Sequence, residues 1–274
     1  MVLLGSGLYM YEVSGENWGG LPPGWSYKEA TTVAVDSKDN VYVFHRGLHD
    51  PIIVFDSAGN VIKTWGKGIF TNPHGITVGP DDSIYCVDNG DHTVRKFTQD
   101  GALLMTLGVK DNPAPAMSGI PFNRPTYVAI DPTTGDIFVA DGYTNAKIHR
   151  YNANGELMFS WGNSGTGPGE FNIVHDVCID NQGNVYVADR ENQRVQIFDR
   201  EGNFIDQWIN LSRAACLHVD QTGTDPLIYV GEYFCGIETN SMGKNLGPRI
   251  SIFDGNGVLI SRIGEESYGE QAGR

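Results

Sequence analysis

The sequence predicts an all-β fold, a β-propeller made of blades with four short strands each. The first sign is a phrase that returns five times: an apolar run ending on an anchor residue, a tight turn, then a second apolar run. Its clearest copies are Val33-Ala34-Val35-Asp36 before Asn40-Val41-Tyr42-Val43-Phe44, and Val177-Cys178-Ile179-Asp180 before Asn184-Val185-Tyr186-Val187-Ala188-Asp189. The second sign is spacing, because the anchors Asp36, Gly79, Asp131, Asp180 and Asp220 stand 43, 52, 49 and 40 residues apart, within the range of a propeller blade. The third is a period-two alternation inside each run, which sends every second side chain of a strand to the same sheet face.

Each unit then reads in order. Strand one ends at the anchor, and turns such as Asp39-Asn40, Gln182-Gly183-Asn184 and Asn256-Gly257 supply the residues that tight turns need. Strand three covers 52–56, 94–97, 148–151, 195–199 and 250–254, and strand four closes at Trp65-Gly66, Leu107-Gly108, Trp161-Gly162, Trp208-Ile209 and Ile263-Gly264. Two connections, 109–123 and 163–173, are long and rich in Gly, Pro and Asn; each reads as a plain connecting loop or a substrate gate on the rim.

At the ends, residues 8–13 read as a lone strand ahead of the first unit, of the kind that completes the last blade of a closed ring. The tail 265–274 resembles the connector that introduces a blade elsewhere. The expectation is a single domain over 1–274: a propeller of the six-bladed type, with five complete four-stranded blades and the last blade truncated. The alternative, a ring closed by five blades, must place the first strand elsewhere.

The net charge of −14, from 19 basic and 33 acidic residues, argues against nucleic acid as a partner. No apolar run reaches the roughly 20 residues of a membrane helix, so no membrane partner is expected. The start, Met1-Val2-Leu3-Leu4-Gly5, lacks the apolar region of a secretory leader, so the chain reads as intracellular, with the cytoplasm favoured, or as already trimmed. Of Cys86, Cys178, Cys216 and Cys235, three lie in apolar runs without metal-type spacing and read as small core residues. Spacing does not decide whether any are paired.

His74 and His175 each lie five residues before their anchors, in the second and fourth units; the equivalent places elsewhere hold Thr31, Thr126 and Ala215. In a six-bladed ring, alternate blades differ by a third of a turn, so side chains at this register in blades two, four and six converge on the axis. Three imidazoles with an open fourth position is the arrangement of a catalytic zinc. Two ordinary rim histidines are the plainer alternative. His218, two residues before its anchor, points to the other strand face and reads as packed or hydrogen-bonded; His45, His49, His92 and His149 read as solvated.

Residues just after strand two share the rim with these histidines, among them Arg46, Tyr143 and Arg190. A guanidinium offers a fork for a carboxylate, and a phenol near a metal can serve as a base. Against this, Asp141 and Asp189 read as ties to Asn145, Asn192 and Arg194, with Arg190 an exposed partner; the roles of the arginines and Tyr143 stay open.

The segment Val187-Ala188-Asp189-Arg190-Glu191-Asn192-Gln193-Arg194-Val195-Gln196-Ile197-Phe198 resembles an NHL repeat. Phe44-His45-Arg46-Gly47, Pro73-His74-Gly75-Ile76, Asp141-Gly142-Tyr143-Thr144-Asn145 and Val174-His175-Asp176 occur in the order seen in the peptidyl-α-hydroxyglycine α-amidating lyase family. The resemblance, over about residues 28–209, implies a six-bladed propeller with a catalytic zinc (Zn2+) and a structural calcium (Ca2+). It implies His74 and His175 as zinc ligands, the carbonyls of Val33 and Ile76 as calcium ligands, and Tyr143, Arg190 and Arg46 acting on the substrate. The family's third zinc histidine and calcium aspartate belong to the last blade, beyond this chain, and two family cysteines are replaced by Thr144 and Ile197.

The expected activity is that of a zinc-dependent carbon–nitrogen lyase, cleaving a small-molecule or peptide substrate that ends in an α-hydroxyglycine-type carbinolamide to an amide and glyoxylate. A lactone or ester hydrolase on the same axial metal and a non-enzymatic NHL interaction module are the rival readings.

Overall fold

The structure, a computed structural model, describes residues 3–13, 18–234 and 248–264. It divides into two compact units, one of residues 15–164 and one of residues 1–14 with 165–274. The first unit holds three four-stranded antiparallel sheets, whose first two strands are Ala30–Val35 with Val41–His45, Pro73–Val78 with Ile84–Asp88, and Tyr127–Ile130 with Ile137–Asp141. The second holds two more, beginning Val174–Ile179 with Val185–Asp189 and Arg213–Asp220 with Leu227–Tyr233. These five sheets are the five blades expected from the repeat. Among the described residues the helical element is a single 3₁₀ turn, Arg190–Asn192, and no helix is long and apolar enough to cross a membrane.

The second and third strands of the first four blades are covered on both faces, whereas in the fifth blade one face stays partly open, with Tyr233 and Ile250 exposed. Tyr42, Phe44, Ile52 and Val54 point one way, into a cluster with Trp65, Ile76, Ile84, Cys86 and Phe97. Val43, Ile53 and Phe55 point the other way, against Leu21, Trp25 and Tyr27. Each such side chain contributes roughly 1.5–3 kcal/mol when fully buried, so middle strands read as nearly continuous apolar runs. In the second unit, Tyr186, Val195, Trp208, Leu217, Ile228 and Phe253 form the corresponding cluster.

The anchors are acceptors for their own turns. Asp36 Oδ1 takes the backbone N–H groups of Lys38 and Asn40 at 3.0 and 2.9 Å, and Asp180 Oδ1 takes that of Asn184 at 2.8 Å. Turn glycines carry a second constraint. Gly101 and Gly257 adopt φ of +82° and +80°, and a Cβ there would lie 2.9 Å from the Trp65 ring and 2.3 Å from the Trp208 ring. The outer turn of a blade thus closes over the terminal Trp of the blade before it, and only glycine leaves space.

Residues 8–13 are not a lone strand. Tyr9–Glu12 pairs with Leu3–Ser6 through the two-residue turn Gly7-Leu8, with Gly7 at φ +61°. The hairpin lies against the fifth blade, where the Ser6 N–H donates to Ser261 Oγ at 3.1 Å and the Tyr11 and Tyr229 hydroxyls meet at 2.8 Å. The tail 265–274 and Cys235 lie outside the described residues. Cys86, Cys178 and Cys216 are free thiols: Cys86 is buried as expected, whereas Cys216 is exposed at a strand irregularity.

The connections are tethered. Arg194 donates to the carbonyls of Thr166, Gly167 and Glu170 at 2.8–2.9 Å. Asn123 bridges the other connection, from its backbone N–H to Asp141 and from its amide to the Ala114 carbonyl.

Candidate functional site

The register that singles out His74 and His175 corresponds to a β-bulge. Pairing of the first two strands slips between Pro73 and Gly75, between Val174 and Asp176, between Ala30 and Thr32, and between Ala214 and Cys216. The residues that the register skips are His74, His175, Thr31 and Ala215. A bulge re-aims the side chain it carries and is common beside functional sites.

Both histidines are held the same way. His74 Nδ1 lies 2.7 Å from the carbonyl oxygen of Thr126, and His175 Nδ1 lies 2.6 Å from that of Ala215. Thr126 and Ala215 stand at the equivalent position of the next blade. A carbonyl can only accept, so Nδ1 carries the hydrogen and the lone pair resides on Nε2. In the first unit, His74 Nε2 lies 3.1 Å from the Tyr143 hydroxyl, with the two rings nearly perpendicular at 5.3 Å. The Arg124 guanidinium lies over the phenol ring, 5.2 Å from its centre. Sequence reasoning missed Arg124, an exposed residue at φ +60° in a connection.

In blades two to four the aspartate that ends the second strand ties down the segment ahead of the inner strand. Asp88 accepts from the backbone N–H groups of Thr71, Asn72 and Gly90 at 2.6–2.9 Å. Asp141 takes the Asn145 amide at 2.7 Å. Asp189 takes the Asn172 N–H, the Asn192 amide and Arg194 Nε at 2.7–2.9 Å. The structural reading of Asp141 and Asp189 therefore holds. Burial pushes the Asp189 carboxyl above the usual carboxylate range, against the pull of these donors.

In the first blade this position belongs to His45, paired across from Ala30 as Asp189 is from Val174. His45 is thus fully buried rather than solvated, and burial lowers its pKa. Its Nδ1 accepts the Gly47 N–H at 2.9 Å. His149 is also fully buried, between Ser160 Oγ at 2.6 Å and Asp141 at 3.2 Å. Of the histidines expected to be solvated, these two are corrections, since the third strand that holds His149 and the strand end that holds His45 are inside the blades. His218 packs beside Tyr229, with ring centres 6.1 Å apart, at an exposed place on its strand.

Arg46 and Arg190 follow this hub position and are equivalent to each other. Their backbone N–H groups donate to Glu29 and Ile173, each two residues ahead of a bulge. The Arg46 side chain reaches Glu29 at 2.7 Å and, through Nε, the Pro73 carbonyl next to His74 at 3.0 Å. Arg190 is not an exposed partner: its side chain is 15% exposed and its Nε donates to Glu191 at 2.8 Å. Beside His175, Asp176 accepts the Leu217 N–H at 2.9 Å, and burial pushes its carboxyl well up.

Among the described residues no group of three or more His, Cys, Asp or Glu side chains is arranged to hold a metal. The two imidazoles nevertheless suit a metal in donor type and tautomer, because an Nδ1–H fixed on a carbonyl is the usual support of a ligating Nε2. Val33 and Ile76 lie at equivalent places of the first two inner strands and offer carbonyl oxygens, the donors calcium prefers. The Ile76 carbonyl also accepts the Tyr127 hydroxyl at 3.1 Å.

Residues 70–97 and 171–198 match the NHL repeat family, and these segments contain His74 and His175. The chain is 35% identical over 218 residues to peptidyl-glycine alpha-amidating monooxygenase A of Xenopus laevis, covering 68% of this chain and 23% of that protein. It is 35% identical over 208 residues to human NHL repeat-containing protein 3, covering 69% and 59%. Peptidyl-alpha-hydroxyglycine alpha-amidating lyase 1 of Drosophila melanogaster is 35% identical over 217 residues, covering 66% and 39%. The chain thus spans less than two thirds of each of these relatives. In fold it aligns with a Bacteroides caccae protein of unknown function at a TM-score of 0.63 and 14% identity, covering 96% of this chain and 87% of the other. With its repeats, its five four-stranded blades and these relatives, the chain is an NHL-repeat β-propeller similar in sequence to the peptidyl-α-hydroxyglycine α-amidating lyases.

Proposed function

We propose that the chain is a zinc-dependent carbon–nitrogen lyase that cleaves a peptidyl-α-hydroxyglycine-type carbinolamide to an amide and glyoxylate. The observation that carries this reading is the common tautomer of His74 and His175, each set by a backbone carbonyl at the same register of the next blade. His74 and His175 are the proposed zinc ligands, and zinc when bound supplies Lewis acidity. The carbonyls of Val33 and Ile76 help hold calcium.

Tyr143, whose hydroxyl lies 3.1 Å from His74 Nε2, gives up that contact and ionises when the Nε2 lone pair goes to zinc, and as the phenolate it takes the proton of the substrate hydroxyl. As that oxygen becomes the aldehyde oxygen of glyoxylate, the carbon–nitrogen bond breaks, its electron pair stays on nitrogen, and the same proton completes the amide. Arg190 and Arg46, each anchored through its Nε, hold the substrate carboxylate. The reading takes residues 1–274 as one propeller domain of the six-bladed type, to which a further blade brings the third zinc histidine.

The test is glyoxylate release from α-hydroxyhippurate by the zinc-supplemented chain and by a form extended by one blade. Release that chelation abolishes is expected. Cleavage of lactones or esters without glyoxylate would favour the hydrolase, and inertness of both forms toward all three substrates would favour an interaction module.

A further inference from the structure

A second guanidinium adjoins Arg190. Arg213, the first residue of the fifth blade's inner strand, points Nε and Nη2 at Glu191 Oε1, at 3.1 and 2.5 Å. The same oxygen accepts Arg190 Nε at 2.8 Å. One carboxylate thus holds two cations, and the trio carries a net charge of +1. It is half-buried, with side-chain exposures of 15% for Arg190, 24% for Glu191 and 21% for Arg213. Burial works to raise the Glu191 carboxyl, but hydrogen bonds from Arg213 and Arg190 outweigh it, so Glu191 stays ionised.

Backbone contacts fix where the trio lies. Arg190 and Glu191 form the 3₁₀ turn whose N–H groups donate to Ile173 and Asn172, just ahead of His175. Two residues beyond Arg213, the Ala215 carbonyl receives the Nδ1 hydrogen of His175. Arg213 also lies 5.3 Å from the ring centre of Tyr233, its partner across the strand pair. A cation braced by a carboxylate and an aromatic face loses little freedom when it binds an anion, and the surplus charge favours a monoanion.

We propose that Arg190, Glu191 and Arg213 form one carboxylate-binding subsite, in which Glu191 positions both guanidinium groups and Arg213 sets the preference for a substrate that ends in a free carboxylate. The proposal rests on the lyase reading for the identity of that substrate, and it applies to the fourth and fifth blades alone.

Calorimetric titration of the zinc-supplemented chain with hippurate, which keeps the carboxylate but lacks the hydroxyl that cleavage needs, and with its uncharged methyl ester tests it. Wild type should bind the acid more tightly. Arg213→Ala should weaken the acid by about tenfold to hundredfold, the size of a charge-assisted hydrogen bond, and leave the ester unchanged. Arg213→Gln, which keeps the packing on Tyr233 and a hydrogen bond to Glu191, should show the same selective loss if the alanine variant does not fold. Equal loss for acid and ester, unchanged affinity for the acid, or a wild type that does not distinguish them would overturn the subsite. A selective loss in a chain that releases no glyoxylate would uphold the subsite and count against the lyase reading instead.

Discussion

The Nδ1 hydrogen of His74 goes to the carbonyl oxygen of Thr126, 2.7 Å away on the following blade. The His175–Ala215 contact repeats it at 2.6 Å. A side chain fixed by a neighbouring strand's backbone keeps its tautomer whatever residue replaces the carbonyl's owner. The support for each imidazole is therefore built into the fold.

Tyr143→Phe keeps the ring against His74 and Arg124 but removes the hydroxyl. Turnover of α-hydroxyhippurate should fall by roughly 10²–10⁴, as expected for loss of a general base, with an unchanged melting temperature. Steady-state glyoxylate assays decide this, and full activity in the variant would remove Tyr143 from the chemistry. His218→Ala should leave both turnover and zinc content near wild type, since the His218 ring neighbours Tyr229.

Asp189→Ala should be strongly destabilising. The side chain is fully buried and neutralises Arg194, itself 7% exposed. Removing one partner of a buried pair typically costs about 3–5 kcal/mol. Urea denaturation should show a lower midpoint with an unchanged slope; a loss under about 1 kcal/mol would mean the hub does not organise the connection ahead of His175.

His45 predicts a pH effect. Burial lowers its pKa in the folded protein, so the folded state favours neutral imidazole while the unfolded chain titrates near 6.5. Its contribution is complete above about pH 6.5 and is lost as pH falls below that value toward the folded pKa. His45→Gln should therefore flatten the stability profile below about pH 6.5, measured by thermal unfolding. An unaltered slope would show that His45 does not titrate differently on folding.

Much of this architecture was legible in the sequence because repetition makes each blade a control for the others. Anchor spacing gives the five sheets, and matched register singles out His74 and His175, which stand at the irregularities of their strand pairs. What was not legible depends on partners distant in sequence. His45 looks like a loop residue until its pairing with Ala30 places it at the hub held elsewhere by Asp88 and Asp189. Leu3–Ser6 lacks the repeat's turn signal, so its pairing with Tyr9–Glu12 went unread and 8–13 seemed to stand alone. Arg124 and Arg213 lie outside the motif, and only tertiary contacts bring them to Tyr143 and Glu191.

The most direct test of the central claim is the zinc content of the purified chain, measured by mass spectrometry for wild type, His74→Ala and His175→Ala after dialysis against a weak chelator. Wild type should retain zinc, and each substitution should abolish retention while leaving the fold intact by circular dichroism. Zinc retained in both variants, or a wild type that takes up none even when extended by one blade, would contradict the assignment of these histidines as metal ligands.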